Sequence, residues 1–146
     1  MLTSINPANN KLIITYDETS SEESLKIISL TDDAFTIWKE TSFAHRSELM
    51  KNAARVLREN SEEYSVLMTM EMGKPILQSR AEVEKCAWVC DYYAENAEMF
   101  LEDEIIKTEA TKSFVSYQPI GVILAIMPWN FPFWQVFRFA APSLMA

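Results

Sequence analysis

With 146 residues and 49% apolar side chains, the chain is one domain's worth of polypeptide with enough apolar material for a core, which excludes a disordered or fibrous class. Thirteen Lys and Arg against 21 Asp and Glu leave a net charge of −8, the wrong sign for nucleic-acid phosphates or an anionic membrane surface. Cys86 and Cys90 stand four apart in a helix-like stretch with one distant histidine, His45, which excludes a disulfide framework or a zinc ligand set and reads as free buried thiols in a reducing cytosol.

The opening MLTSINPANNK has no basic stretch followed by an apolar one, so no secretory signal is expected. Pro7, Asn9 and Asn10 mark a turn ahead of the β-branched run from Leu12 to Thr15, a short strand. Ser20 with Glu23 forms a capping-box pattern that opens a first helix, with Leu25, Ile28, Ala34, Ile37 and Trp38 at near-helical spacing. A second helix follows Ser42, with Leu49, Ala53, Val56 and Leu57 on one face and Arg46, Lys51, Arg55 and Arg58 mostly outward. A third runs from Ser61 to Gly73, a helix-stopping glycine with Pro75 just beyond. The fourth spans roughly Leu77 to Phe100, with Val83, Ala87, Val89, Cys90 and Tyr93 inward and an acidic outer face.

After the polar connector LEDEIIKTEATK the period changes from helix to strand. SFVSYQP, residues 113–119, alternates like a half-buried edge strand that Pro119 ends. IGVILAIM, residues 120–127, is a continuous apolar run, the pattern of a central strand covered on both faces. Pro128 stops it, WNFP forms a turn, and FWQVFRFAAPSLMA returns to helical spacing. A membrane span over residues 120–139 is disfavoured because Pro128, Asn130, Pro132, Gln135 and Arg138 interrupt it.

Strand, sharp turn, then helix is how α/β enzymes present reacting groups at the carboxyl end of a sheet. Asn130 sits in that turn between Pro128 and Pro132. Its amide can donate to a developing oxyanion in a water-poor pocket, or it can simply satisfy turn backbone groups. Phe131, Trp134, Gln135 and Arg138 recur at steps of three and four on one helical face. Arg138 can bind a substrate carboxylate at the end of an apolar channel, or snorkel to solvent and pair with a surface carboxylate.

The run PIGVILAIMPWNFPFWQVFRFAAP resembles the segment that carries the oxyanion asparagine in the NAD(P)-dependent aldehyde dehydrogenase superfamily. EMGKP, residues 71–75, with EVEKCAWVCDYYAENAE, resembles that family's N-terminal helices, and INPANNKLI its opening hairpin, so the likeness covers essentially all 146 residues. PWNFP is highly specific, whereas EMGKP alone is weak. PWNFPFWQVFR is most similar to the succinate-semialdehyde dehydrogenase subgroup, in which an arginine eight residues after the asparagine helps hold the substrate carboxylate; Arg138 occupies that place.

The resemblance implies an α/β fold, with residues 1–146 forming an N-terminal helical layer (about 20–100) and then the first strands and turn–helix (about 113–146) of an incomplete Rossmann-type domain. It implies oxidation of succinate semialdehyde to succinate with NAD or NADP, in the cytoplasm. Asn130 is expected to donate its side-chain amide to the thiohemiacetal oxyanion. Ile126, Met127, Pro128 and Trp129 are expected to line the cleft for the ribose and nicotinamide side of the cofactor. Phe131, Trp134 and Gln135 are expected to wall the substrate channel, and Arg138 to select an aldehyde that bears a carboxylate. No metal is implied.

In relatives the nucleophilic cysteine, the glutamate base, the cofactor lysine and the residue that sorts NAD from NADP lie well beyond this stretch. Cys86 and Cys90 match a packed helix where nothing lowers a thiol pKa, and with Gly73 and Gly121 the only glycines no glycine-rich loop can approach a pyrophosphate. The expectation is the first third of an aldehyde dehydrogenase, inactive and without cofactor as a lone chain. The alternative is a non-catalytic truncated homologue that acts as a self-assembling or partner-binding module. Exposed apolar surface in IGVILAIM and WNFPFWQVF is expected to drive homo-oligomerisation, with strand exchange at residues 113–118 as one route; neither nucleic acid nor membrane is an expected partner.

Overall fold

The computed structural model describes residues Met1 to Ala146. The chain opens with an antiparallel hairpin, β1 (Leu2–Ile5) against β2 (Leu12–Tyr16), with a register shift between Ser4 and Ile5. Its tip is built by asparagines. The side-chain oxygens of Asn6 and Asn9 accept from the backbone N–H of Ala8 and Lys11 at 2.9 and 3.0 Å, and Asn10 takes the left-handed conformation at φ 57° that asparagine tolerates.

Helix α1 (Ser21–Trp38) begins with the expected capping box: Ser20 Oγ accepts from the N–H of Glu23, whose carboxylate accepts from the N–H of Ser20. That carboxyl is held below its ordinary range by the hydrogen bonds from the Ser20 backbone and hydroxyl. The apolar face of α1 covers nothing. No residue of the helix is buried, and Leu25, Ile28 and Ile37 are exposed. Only its end is tied down, where Trp38 Nε1 donates to the carbonyl of Leu144 at 3.0 Å.

Helix α2 (Phe43–Glu59) starts at the Ser42 cap, and α3 (Ser61–Met72) ends at Gly73, whose φ of 72° is the left-handed C-terminal conformation. On α2 the expected face is turned: Arg46, Met50, Ala54 and Leu57 are buried, while Leu49 and Val56 are exposed. Arg46 therefore points inward, contrary to expectation. It donates to Thr41 Oγ1 and to the carbonyls of Trp38, Lys39, Thr41 and Met145 at 2.8–3.2 Å, and so joins the end of α1 to the end of the last helix. Carbonyls at helix ends carry partial negative charge, which makes a buried guanidinium tolerable there. Burial pushes its pKa down.

Helix α4 (Ile76–Phe100) is the centre of the core. Its inner stripe of Val83, Cys86, Ala87, Val89, Cys90, Ala94 and Ala97 is mostly small, so neighbouring helices approach closely. Met50, Ala54 and Leu57 of α2, Met68 of α3, and Ala141 and Met145 of the last helix complete the cluster. The inward residues expected on α4 are confirmed, except that Tyr93 is only half-buried.

Beyond α4 the expectations for strands are corrected. Phe114–Val115, β4, is all that forms of the strand expected at 113–119, and it pairs with β3, Glu104–Ile105, from within the supposed connector. Residues 120–127 form no strand. Gly121 stands at φ 103°, a conformation open to glycine, and no strand of the chain lies beside the run to accept its hydrogen bonds. Its apolar side chains stay outside, with Leu124 and Ile126 at 85% and 86% exposure. The last helix, α5 (Pro132–Met145), then packs back on α4.

Candidate functional site at the start of helix α5

The apolar run stops at Pro128, Trp129 and Asn130 make the turn, and Phe131 precedes the helix at φ −139°, ψ 72° with no side-chain cap of its own. Pro132 fills the first helical position, where a missing N–H costs nothing and φ is already set. The next two N–H groups need acceptors. Both find one oxygen of Glu82 on α4: the backbone N–H groups of Phe133 and Trp134 donate to Glu82 Oε1 at 3.0 and 2.9 Å. A carboxylate is well placed there, because the helix N-terminus carries partial positive charge.

The other oxygen of Glu82 receives Lys74 Nζ, and both side chains are buried, 5% and 2% exposed for Lys74 and Glu82. The same ammonium lies 3.8 Å from the centroid of the Phe131 ring, close enough for a cation–π contact. On the next turn Lys85 sits 3.8 Å from the centroid of Trp134. Phe133 packs on Tyr64 and Phe137, with ring centroids 5.2 and 6.4 Å apart. Residues 131–134 are thus fixed by side chains of α3, α4 and the loop between them.

Asn130 is exposed, and its amide has no hydrogen-bond partner within the chain. Arg138 is likewise exposed and joins none of the six ion pairs. It lies about 9 Å along the helix axis from Pro132 at 1.5 Å per residue. Phe131 is open at 45% exposure, Trp134 is half-buried against the core, and Gln135 is buried with Oε1 unpartnered. The four therefore straddle the edge of α5: Phe131 and Arg138 open outward, Trp134 and Gln135 turn toward α4. Ile126 and Trp129 stand out at 86% and 78% exposure, while Met127 is half-buried.

A cleft of about 670 Å³ lies where Trp129, Pro132 and Phe133 face β1 and α3. Asn130 does not line it. Cys86 and Cys90 are fully buried, and their thiols are pushed up to about 12 and about 11, by desolvation first and then by the neighbouring carboxylates of Glu82 and Asp91. A nucleophilic cysteine needs the opposite shift. No group of three or more His, Cys, Asp and Glu could hold a metal ion, and no helix is long and apolar enough to cross a membrane. For a dinucleotide the fit is one-sided: residues 126–129 offer an apolar shelf, and Gly121 alone has open space around it.

Sequence reasoning missed Glu82 and Lys74. A signal existed for the first, since Ser79, Glu82, Val83 and Cys86 fall on the same buried helical stripe, where an acid signals a partner.

The chain is a layer of helices with two small two-stranded sheets, ending in a turn that leads into α5. The sequence profile of the aldehyde dehydrogenase family matches residues 1–146, and the chain belongs to that family. It is 49% identical over 145 residues to a probable succinate-semialdehyde dehydrogenase (NADP+) of Synechocystis sp., an alignment that spans 99% of this chain and 32% of the relative. It is 41% identical over 143 residues to the succinate semialdehyde dehydrogenase (NAD(P)+) Sad of Escherichia coli, which covers 98% and 31%. Among solved structures, succinic semialdehyde dehydrogenase from Streptococcus pyogenes in complex with NADP+ superposes with a TM-score of 0.94 at 30% identity, over 98% of this chain and 32% of that one. The chain spans about a third of the length of the relatives it matches.

Proposed function

We propose that residues 1–146 supply the oxyanion-binding and carboxylate-binding segment of an NAD(P)-dependent aldehyde dehydrogenase that oxidises succinate semialdehyde to succinate. The observation that carries this reading is Asn130, a side-chain amide left without an internal partner on a turn whose following residues are fixed from three sides. Attack of a thiolate on the aldehyde carbonyl puts negative charge on its oxygen. A preorganised N–H donor stabilises that charge more than it stabilises the neutral carbonyl, and so lowers the barrier. Arg138, uncommitted to any carboxylate of the chain, binds the far carboxylate of the substrate. Phe131 and Trp134 wall the path between them, and Gln135 with its unpartnered oxygen backs that wall.

Ile126, Met127, Pro128 and Trp129 form the apolar shelf for the nicotinamide and ribose side of the cofactor. When bound, that cofactor would supply the hydride acceptor. The two thiols of the chain are buried and raised and do not serve as the nucleophile, which, with the base for thioester hydrolysis, is supplied by protein outside residues 1–146. The chain alone is therefore inactive, and the complete enzyme works in the cytoplasm as a homo-oligomer. A second reading, a non-catalytic self-assembling module, draws on the bare apolar surface of residues 120–129 and α1.

In the dehydrogenase that carries this segment, Arg138→Ala tests the substrate assignment. Loss of one charged hydrogen-bond pair should reduce kcat/KM for a carboxylate-bearing aldehyde relative to a neutral one by about 2 kcal/mol, roughly 30-fold. Equal losses for both aldehydes would remove Arg138 from this role.

A further inference from the structure

We infer that Lys74 and Glu82 are a positioning pair for Asn130, an inference that rests on the oxyanion role proposed above. Glu82 reaches from α4 to take the N–H groups three and four residues after Asn130, at 3.0 and 2.9 Å, and no residue of the turn caps the helix instead. Lys74, immediately after the Gly73 stop of α3, binds the free oxygen of the same carboxylate and lies 3.8 Å from the ring centroid of Phe131, the residue next to Asn130. One pair thus holds both Phe131 and the first turn of α5, and Pro128 limits the backbone on the other side of Asn130. Asn130 is exposed and its side chain makes no hydrogen bond within the chain that would fix it. Its aim is set by the backbone on either side, and that backbone is set by Lys74 and Glu82.

Misplacement of a reacting or stabilising group by about 1 Å from a distant substitution can cost roughly 100-fold in rate. In the dehydrogenase that carries this segment, Glu82→Ala should lower kcat about 10- to 100-fold through the aim of Asn130, and KM for the aldehyde should rise as well, because Phe131 and Trp134, held by the same pair, wall the substrate path. Glu82→Gln keeps an acceptor for the two N–H groups and should restore most of the loss. Lys74→Met should fall between them. The distinguishing measurement is the cycle with Asn130→Ala: once the amide is gone, Glu82→Ala should cost less than about threefold more. Thermal melts identify any variant that fails to fold, and the cycle then runs on Glu82→Gln and Lys74→Met. If Asn130→Ala cuts turnover and the Glu82 or Lys74 losses multiply with it in full, the positioning role is overturned and the oxyanion role survives. If Asn130→Ala leaves turnover unchanged, both are overturned.

Discussion

Removing one member of the Lys74–Glu82 pair at a time, and then both, exposes its energetics. Both side chains are almost fully buried, so an unpartnered charge cannot turn to water. Glu82→Gln keeps an oxygen for the N–H groups of Phe133 and Trp134 but leaves the Lys74 ammonium with only the Phe131 ring. Breaking a buried pair from one side costs about 3–5 kcal/mol, and the retained amide oxygen places this variant near 3 kcal/mol. Lys74→Met leaves a carboxylate that still accepts two hydrogen bonds at a helix N-terminus, an environment that returns up to about 2 kcal/mol, so a loss of about 2 kcal/mol is expected. With both substitutions the charges vanish together and the N–H groups keep an acceptor, which limits the loss to about 2 kcal/mol against an additive sum of about 5. The coupling of about 3 kcal/mol is measured by urea denaturation followed by circular dichroism, with m-values compared to confirm a common unfolded state. Additivity within about 0.5 kcal/mol would show that the two groups do not share a buried contact.

Three further outcomes are expected. Arg46→Met removes five donated hydrogen bonds that join α1, α2 and α5, and should cost about 3 kcal/mol in urea unfolding; a loss below about 1 kcal/mol would mean that the guanidinium is solvated. The thiols of Cys86 and Cys90 titrate higher when folded, about 12 and about 11, than the ordinary 9.0, so the unfolded chain loses these protons first. Their contribution is complete below pH 9 and is lost as pH rises through 9 toward 12. Between pH 8 and pH 10 each should cost about 1.3 kcal/mol of stability that a Cys86→Ala/Cys90→Ala variant retains; an identical alkaline limb in both proteins would refute the burial argument. The chain should associate at micromolar concentration by light scattering, and Leu124→Lys with Ile126→Lys should reduce the association; a monomer before substitution would contradict it.

The helices were legible because their ends carry local chemistry. Ser20 with Glu23, Ser42 and Gly73 each act within a few residues, and the structure places all three caps where the sequence put them. What failed to show were features that depend on one particular distant partner rather than on a repeating apolar face. A strand is a relation between two segments, and residues 120–127 have the composition of a central strand with no neighbouring strand to pair with. Glu82 looks like a surface charge because its donors, Phe133 and Trp134, lie 51 and 52 residues away; four of the five acceptors of Arg46 are backbone and hydroxyl oxygens of residues 38–41, which composition does not reveal, and only Met145 is 99 residues away. The face of α1 was expected from spacing, but spacing does not say what covers it, and in these residues nothing does. At the site, PWNFP marked the turn, with Trp129 and Asn130 in it and Pro132 at the start of α5; the pair behind the turn became visible only in three dimensions.

Turnover of the dehydrogenase with Asn130→Ala tests the role of this amide most directly. An amide that contacts the oxygen only as charge develops should, when lost, lower kcat by about 10²–10³-fold with little change in KM, and Asn130→Asp, which has no N–H to offer, should not restore it. A kcat within twofold of the unsubstituted enzyme would contradict the role given to Asn130.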